Sequence, residues 1–262
     1  MLELWWRLAR AEGDARGAAK LLGKALRLSR REAPLWAEYA STLDDAGRPD
    51  EAVKAYDRAL QLEPRLVDAA VDRAVLQAQK LDRAAALEDL RQIARDNPAH
   101  LRGWRNLAML ERDALETERA IAASEHVLAA TPGDPSALRI RALAQFDTGE
   151  PSAAHFARAS AADPGNAVLA IKHAAALHAE RRTAEGDRLL GEVIAEQPFR
   201  LDALRTRAQL RWEAATGEDP MEGFEQAVAR PGCPPQVWAE YARLAERHSG
   251  AQAALAIVDR AR

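Results

Sequence analysis

Residues 33–66 read APLWAEYASTLDDAGRPDEAVKAYDRALQLEPRL, and this stretch decides the fold of the chain. Apolar residues recur there at helical spacing in two stripes, which comprise Leu35, Trp36, Tyr39, Ala40 and Leu43 and then Ala52, Val53, Tyr56, Ala59, Leu60 and Leu62. Gly47 and Pro49 interrupt the pattern between the stripes, and Pro64 ends it. The stretch therefore predicts two amphipathic helices joined by a short turn, neither of which buries its apolar stripe alone.

The order of the marker residues resembles the tetratricopeptide repeat, a helical hairpin with a period of 34 residues. The repeat pattern has Trp, Leu-Gly, Tyr, Ala, Phe and Pro at fixed places, and Trp36, Ala52, Ala59 and Pro64 match it. The departures are conservative, with Tyr39-Ala40 in place of Leu-Gly and Leu43 and Tyr56 in place of the family's Tyr and Phe. The resemblance implies an array of such hairpins.

The same spacing continues along the chain in both directions from this stretch. It predicts an all-α fold, a single right-handed superhelical solenoid over 1–262 built from about eight helix-turn-helix repeats. Their approximate bounds are 1–32, 33–66, 67–100, 101–134, 135–166, 167–200, 201–234 and 235–262. The fifth repeat is two residues short near the turn GEPS, and Pro220 in the seventh predicts a second helix that starts late, with Asp219 as its cap.

The bulk composition excludes several classes of protein. With 48% hydrophobic and 29% charged residues the chain is expected to fold, and its formal net charge of −3 gives no general attraction to nucleic acid or anionic lipid. Cys233 is the single cysteine, which fits a reducing compartment, and charges interrupt the apolar residues at the start. We therefore predict a cytoplasmic protein with no membrane or nucleic-acid partner. Frequent Arg and Ala with few Lys favour a bacterial source.

The chain offers no arrangement of residues that predicts catalysis. The histidines at positions 100, 126, 155, 173, 178 and 248 lack the spacing of metal ligands, and no phosphate-binding glycine loop or nucleophile elbow is present. Cys233 lies between prolines with no evident basic neighbour. The sequence predicts a protein that is not an enzyme and holds no metal or cofactor.

The resemblance also implies where a partner would bind. In this family, places 2, 5, 9, 12 and 13 of each repeat face a concave groove. The second and third repeats supply Asp44, Asp45 and Asp68, an acidic section. Later repeats supply the predicted peptide-binding groove, a basic section with apolar and aromatic residues that comprises Arg102, Arg105, Met109, Arg112, Arg139, Phe146, His178, Arg205, Gln209 and Trp212. Guanidinium groups bind carboxylates through two hydrogen bonds at once, so a partly acidic peptide is expected there.

Two functions remain open at this point. The first is a non-catalytic scaffold that binds a peptide segment of a protein partner in the groove. The second is the substrate-recruiting or dimerising arm of a larger enzyme, because residues 204–246 resemble the repeats that precede a 2-oxoglutarate and iron(II)-dependent oxygenase domain in bacterial proteins. Residues Leu210-Arg211-Trp212, Gly217, Phe224 with Ala227, and Trp238 with Tyr241-Ala242 carry this second likeness.

Three further expectations concern partners. Chaperone-binding members of the repeat family hold a terminal carboxylate with a set of Lys, Asn and Arg residues. This chain lacks that set, because Met109, Ile140 and Val168 occupy places that belong to it. Binding of RNA is disfavoured by the net negative charge. Apolar residues occur at both ends, namely Leu2, Leu4, Trp5, Trp6 and Leu8 at one and Leu255, Ile257 and Val258 at the other. They favour further protein beyond the ends; a homodimer formed through the terminal helices and incomplete capping of the array are the alternatives.

Overall fold

The computed structural model describes residues 2–80, 82–215 and 217–261, with side chains from Trp6 onward. These residues form sixteen α-helices in successive pairs, in which each odd-numbered helix packs against the next. The predicted all-α fold of helical hairpins is thereby confirmed. Contacts divide the chain into two compact units, Met1–Pro132 (unit 1) and Gly133–Arg262 (unit 2). The prediction of a single array over 1–262 stays a prediction.

Unit 1 contains four helical pairs. They are α1 (Leu2–Ala11) with α2 (Ala15–Leu28), α3 (Ala33–Asp45) with α4 (Pro49–Leu62), α5 (Val67–Lys80) with α6 (Arg83–Asp96), and α7 (Leu101–Asp113) with α8 (Thr117–Ala130). The second helix of one pair also packs against the first helix of the next. Each pair thus buries the apolar stripe of its neighbour.

Unit 2 also contains four pairs. They are α9 (Pro135–Asp147) with α10 (Ala153–Ala162), α11 (Ala167–Ala179) with α12 (Thr183–Glu196), α13 (Leu201–Ala214) with α14 (Glu222–Val228), and α15 (Pro235–Ser249) with α16 (Ala251–Arg260). The short α10 follows the two-residue deletion. The late start of α14 was predicted, but its predicted cap was wrong: Met221 occupies that position, and the Asp219 carboxylate accepts the N–H of Met221 at 2.9 Å.

Small residues set the distance between helices in both units. Alanines recur at one place of successive first helices from α3 onward and are almost fully buried, as at Ala40, Ala74, Ala108, Ala142 and Ala174. Larger side chains such as Leu43, Leu90, Phe156 and Phe224 fill the space on either side of these contacts. The core is therefore a row of closely packed hairpins, as expected for protein interiors.

The turns between paired helices use left-handed backbone. Gly47 has a φ of +75°, which costs a glycine nothing. Leu115 and Arg181 occupy the same place in their own repeats with φ near +65°, although this conformation is unfavourable for residues with a side chain. At several helix starts, side chains satisfy the free backbone N–H groups of the first turn. Asp14 and Asp82 are examples of such caps.

Candidate functional site

In unit 1, the predicted groove charges bind each other. Arg102 on α7 donates to the Asp68 carboxylate on α5 at 2.5 Å and also pairs with Asp72. His100 accepts the N–H of Gly103 through Nδ1, so its Nε2 donates to the same Asp68 at 3.1 Å. The acidic section therefore meets the basic section at Asp68 on α5 and Arg102 on α7, where their charges neutralise one another.

The other predicted residues of unit 1 also lie on α7. Arg105, Met109 and Arg112 are half-buried along this helix, with helical spacing from Arg102. Spacings of three, four and three residues from Arg102 place them on one face of α7, and their assignment to a groove stays a prediction.

In unit 2, Arg139 and Phe146 lie on α9. The Phe146 ring packs edge-on against the buried Phe156, with 5.9 Å between ring centroids, and the ammonium of Lys172 lies 4.2 Å above its centroid. Such a cation over an aromatic face is attractive. Phe146 therefore already has protein partners on two sides.

A cleft of unit 2 brings three predicted residues together. Arg205, Gln209 and Trp212 on α13 line a cleft of about 410 Å³ between α13 and α15. The remaining lining residues are Ala208, Glu213, Met221, Glu240, Arg243, Leu244, Arg247 and His248. Its volume falls within the range of small-ligand sites, and its lining combines cations, carboxylates, an indole and aliphatic side chains.

Glu240 organises the charges of this cleft. Its side chain is 7% exposed, and the Oε1 atom accepts hydrogen bonds from Arg205 Nε at 2.5 Å and Arg243 Nη2 at 2.7 Å. Burial acts to raise the pKa of Glu240, but the hydrogen bonds from Arg205 and Arg243 outweigh it, so the pKa lies below its usual value. Two guanidinium groups share one ionised carboxylate, and they retain further N–H donors.

An aromatic stack forms the other side of the cleft. The rings of Trp212 and His248 stack with 3.3 Å between centroids and 30° between planes. Burial and the neighbouring Arg247 lower the pKa of His248, so the imidazole is neutral at pH 7. Arg247 itself is exposed and makes no ion pair within the described residues. The cleft thus offers a flat aromatic surface next to an uncommitted cation.

His178 lies in a different, smaller cavity of about 210 Å³, lined also by Asp187, Leu210 and Arg211. Its Nε2 atom is 3.5 Å from the Glu213 carboxylate, which belongs to the larger cleft. His178 is therefore adjacent to the cleft residues rather than among them.

Sequence reasoning omitted eight of the eleven lining residues, and four of these, Glu240, Arg243, Arg247 and His248, carry the charges and the aromatic stack described above. Arg243 and Arg247 occupy places 9 and 13 of the last repeat, so the same counting identifies both when it is continued to the end of the chain. Glu240 and His248 lie at other places of the repeat, and only their contacts with Arg205 and Trp212 reveal them.

Other kinds of site were searched in the described part of the chain. Residues 2–80, 82–215 and 217–261 contain no group of three or more His, Cys, Asp or Glu side chains placed to hold a metal ion. None of their helices has both the length and the apolar character needed to cross a bilayer. Burial raises the pKa of the Cys233 thiol, which disfavours the reactive thiolate.

Comparisons with known proteins agree with this architecture. A family model described as the tetratricopeptide repeat matches residues 9–77. A tetratricopeptide repeat protein from Parabacteroides merdae is 16% identical, with 97% of each chain covered and a TM-score of 0.63. PilW, a type IV pilus biogenesis factor, is also 16% identical over 76% of this chain and 94% of its own, with a TM-score of 0.66.

YrrB, described as a tetratricopeptide repeat protein with an unusual peptide-binding site, is 17% identical. The match covers 71% of this chain and 97% of YrrB, with a TM-score of 0.59. A search of the curated proteins found no match. The likeness of residues 204–246 to oxygenase-associated repeats is not tested by these comparisons and stays a prediction. Residues 9–77 carry the sequence pattern of the tetratricopeptide repeat family, and the helical pairs of the chain have the tetratricopeptide repeat fold.

Proposed function

We propose that this chain is a non-catalytic protein-interaction module that holds a partly acidic peptide segment in the cleft between α13 and α15. One observation carries the proposal: Arg205, Gln209 and Trp212, chosen from sequence as groove residues, line the same cleft together with Arg243 and Arg247. The fold shared with YrrB, whose description names a peptide-binding site, supports the same class of function.

The charge of the cleft favours an acidic ligand. Its lining contains three arginines and two glutamates, which leaves one positive charge in excess. Arg247 has no carboxylate partner among the described residues, so a ligand carboxylate at Arg247 would gain a charge-assisted hydrogen bond without breaking an existing pair. A second ligand carboxylate would reach Arg243, which already shares Glu240 with Arg205.

The apolar part of the lining favours an apolar side chain next to that acid. The stacked rings of Trp212 and His248 present a flat surface, and Met221 and Leu244 contribute aliphatic groups. Aromatic and arginine side chains of this kind carry much of the affinity in peptide and protein interfaces. The preferred ligand is therefore an acidic residue flanked by Leu or Phe.

A peptide array tests this preference. The full chain is probed with short synthetic peptides in which Asp or Glu alternates with Leu or Phe, and with the same peptides carrying Lys in place of the acids. We expect binding to the acidic set alone. Fluorescence anisotropy of the best peptide then gives Kd for the parent and for Arg247→Glu, which should weaken binding about 10- to 100-fold because a charged hydrogen bond is lost.

Arg230→Glu is the matched control. Arg230 is exposed in unit 2, lies outside the cleft and makes no ion pair among the described residues, so the substitution changes the net charge equally. Its Kd should equal that of the parent. Equal binding of acidic and basic peptides, or equal weakening by both substitutions, contradicts the proposal.

A further inference from the structure

The most basic segment of the chain lies on α2, outside the cleft and on the other unit. Residues 15–31 contain six cations and no Asp or Glu, in a protein whose formal net charge is −3. The cations, named here the α2 basic row, are Arg16, Lys20, Lys24, Arg27, Arg30 and Arg31. All six side chains are exposed. Asp14 and Glu32 lie directly before and after the segment.

Helix geometry aligns these charges. Arg16, Lys20, Lys24 and Arg27 are spaced by four, four and three residues, so they fall within an arc of about 80° and extend over about 17 Å. The buried residues of α2 lie on the opposite side of the helix and comprise Ala18, Ala19, Leu22 and Leu26. Arg30 and Arg31 follow the helix in the connection to α3. The row is thus a straight edge of positive charge on a helix that the core holds rigidly.

Among the described residues, no carboxylate pairs with these charges. None of the six side chains makes an ion pair or hydrogen bond within the described residues. One repeat later the sequence places Lys54 after Lys20 and Arg58 after Lys24, so two of the four helical cations have a cation at the corresponding place, and only Arg16 has an acid there, Asp50. This differs from the groove side of unit 1, where Arg102 binds Asp68 and Asp72.

An apolar side chain accompanies the row. Leu28 is 80% exposed at the end of α2, and helix geometry puts it about 40° from Lys24 on the solvent side. The segment contains no aromatic residue on which a nucleic-acid base could stack. A linear set of cations beside an exposed leucine matches a planar surface with negative headgroups and an apolar layer beneath them.

We propose that the α2 basic row docks this protein on the surface of an anionic lipid bilayer. The expectation of no membrane partner rested on the net charge of the whole chain, whereas a membrane surface responds to the local charge of the α2 basic row. The contact is peripheral: the cations meet the headgroups, and Leu28 enters the interface. The proposal is independent of the peptide cleft, which lies in unit 2.

Co-sedimentation of the full chain with vesicles tests the proposal. The vesicles contain phosphatidylcholine alone or phosphatidylcholine with phosphatidylglycerol. We expect binding to the anionic vesicles at about 0.1 M salt and its loss near 1 M, where the Debye length falls from about 10 Å to about 3 Å. Each cation near such a surface strengthens partition by about fivefold, so the triple variant Lys20→Gln, Lys24→Gln, Arg27→Gln should bind about a hundredfold more weakly.

The control variant is Arg181→Gln, Arg188→Gln, Arg230→Gln, which removes three exposed arginines of unit 2 and lowers the net charge equally. It should bind as the parent does, and circular dichroism checks that both variants are folded. Leu28→Ser should weaken vesicle binding by up to about tenfold and leave any binding to duplex DNA unchanged.

Three results would overturn the proposal. They are no binding of the parent to anionic vesicles, equal loss in the two triple variants, and binding to duplex DNA that is tighter than binding to vesicles.

Discussion

Arg211 joins three segments of unit 2, so replacing it should loosen them together. The side chain is 6% exposed on α13. Its guanidinium donates to both carboxylate oxygens of Asp187 on α12, at 2.5 and 2.9 Å, to the Asp219 carbonyl at 2.9 Å and to Glu222 at the start of α14, at 2.6 Å. Arg211→Met keeps a side chain of similar length but removes the charge and all four hydrogen bonds.

The expected cost follows from how well the remaining groups are solvated. Removing one partner of a buried ion pair costs about 3–5 kcal/mol when the other charge stays buried and unpaired. Asp187 keeps its hydrogen bonds from Arg207 and is 29% exposed, and Glu222 is 42% exposed, so water replaces part of what is lost. We therefore expect Arg211→Met to lower the free energy of unfolding of this region by about 2–3 kcal/mol.

Hydrogen exchange measured by mass spectrometry is the suitable assay, because repeat proteins open locally. Peptides from α12, α13 and α14 should exchange about 30- to 160-fold faster, the ratio that corresponds to 2–3 kcal/mol, while peptides of unit 1 should be unchanged. Arg182→Met is the control: Arg182 pairs with Glu185 on the exposed surface, and its loss should leave exchange unaltered. Equal exchange in Arg211→Met and in the control would refute the reasoning.

Three further predictions follow from buried charge and backbone strain. Burial acts to raise the pKa of Asp187, but hydrogen bonds from Arg211 and Arg207 hold it well below its usual range. Ionised Asp187 therefore contributes its full stabilisation of the fold above the pKa of an unfolded Asp, near 3.9, and this contribution is lost as pH falls through the lower pKa of the folded state. In an acid titration, the free energy of unfolding of Asp187→Asn should therefore fall less steeply than that of the parent. Glu111, whose side chain is 2% exposed, accepts two hydrogen bonds from Arg91, and urea unfolding of Glu111→Gln should show a loss of about 2–4 kcal/mol. Leu115 is 83% exposed and has a φ of +63°, a backbone conformation that glycine adopts without strain. Leu115→Gly should therefore raise the free energy of unfolding by about 0.5–1 kcal/mol, and an unchanged or lower value would contradict the inferred backbone strain.

The positions of the helices were predictable because burial and backbone chemistry act locally. Ala40 is buried where two helices cross, Gly47 permits the turn, and Pro49 starts the next helix. The first helices begin at Ala33, Val67, Leu101, Pro135, Ala167, Leu201 and Pro235, the positions at which the sequence pattern starts each repeat. The cap of α14 was misplaced because Pro220 and the longer turn interrupt the pattern there.

The partners of charged side chains were harder to predict from the chain. Side chains such as Arg205 reach several helices, and the choice among them depends on distances that the repeat pattern does not contain. Arg205 binds the buried Glu240, and Phe146, expected to hold a ligand, packs against Phe156 and Lys172. The candidate site accordingly emerges only where α13 and α15 leave a cleft between them.

The repeat period nevertheless accounts for some of the ion pairs, those between first helices. Equivalent residues of adjacent first helices lie side by side, so a charge meets its partner about one period away: Arg102 pairs with Asp68 at a separation of 34 residues, and Arg205 with Glu240 at 35. Arg139 has Ile171, not an acid, at the equivalent place of the next repeat, and on the second helices Lys20 is followed one period later by Lys54. In a solenoid, opposite charges one period apart stabilise adjacent pairs, whereas like charges one period apart leave a surface that favours an external counter-charge. This distinction separates the paired surface of α5 and α7 from the α2 basic row.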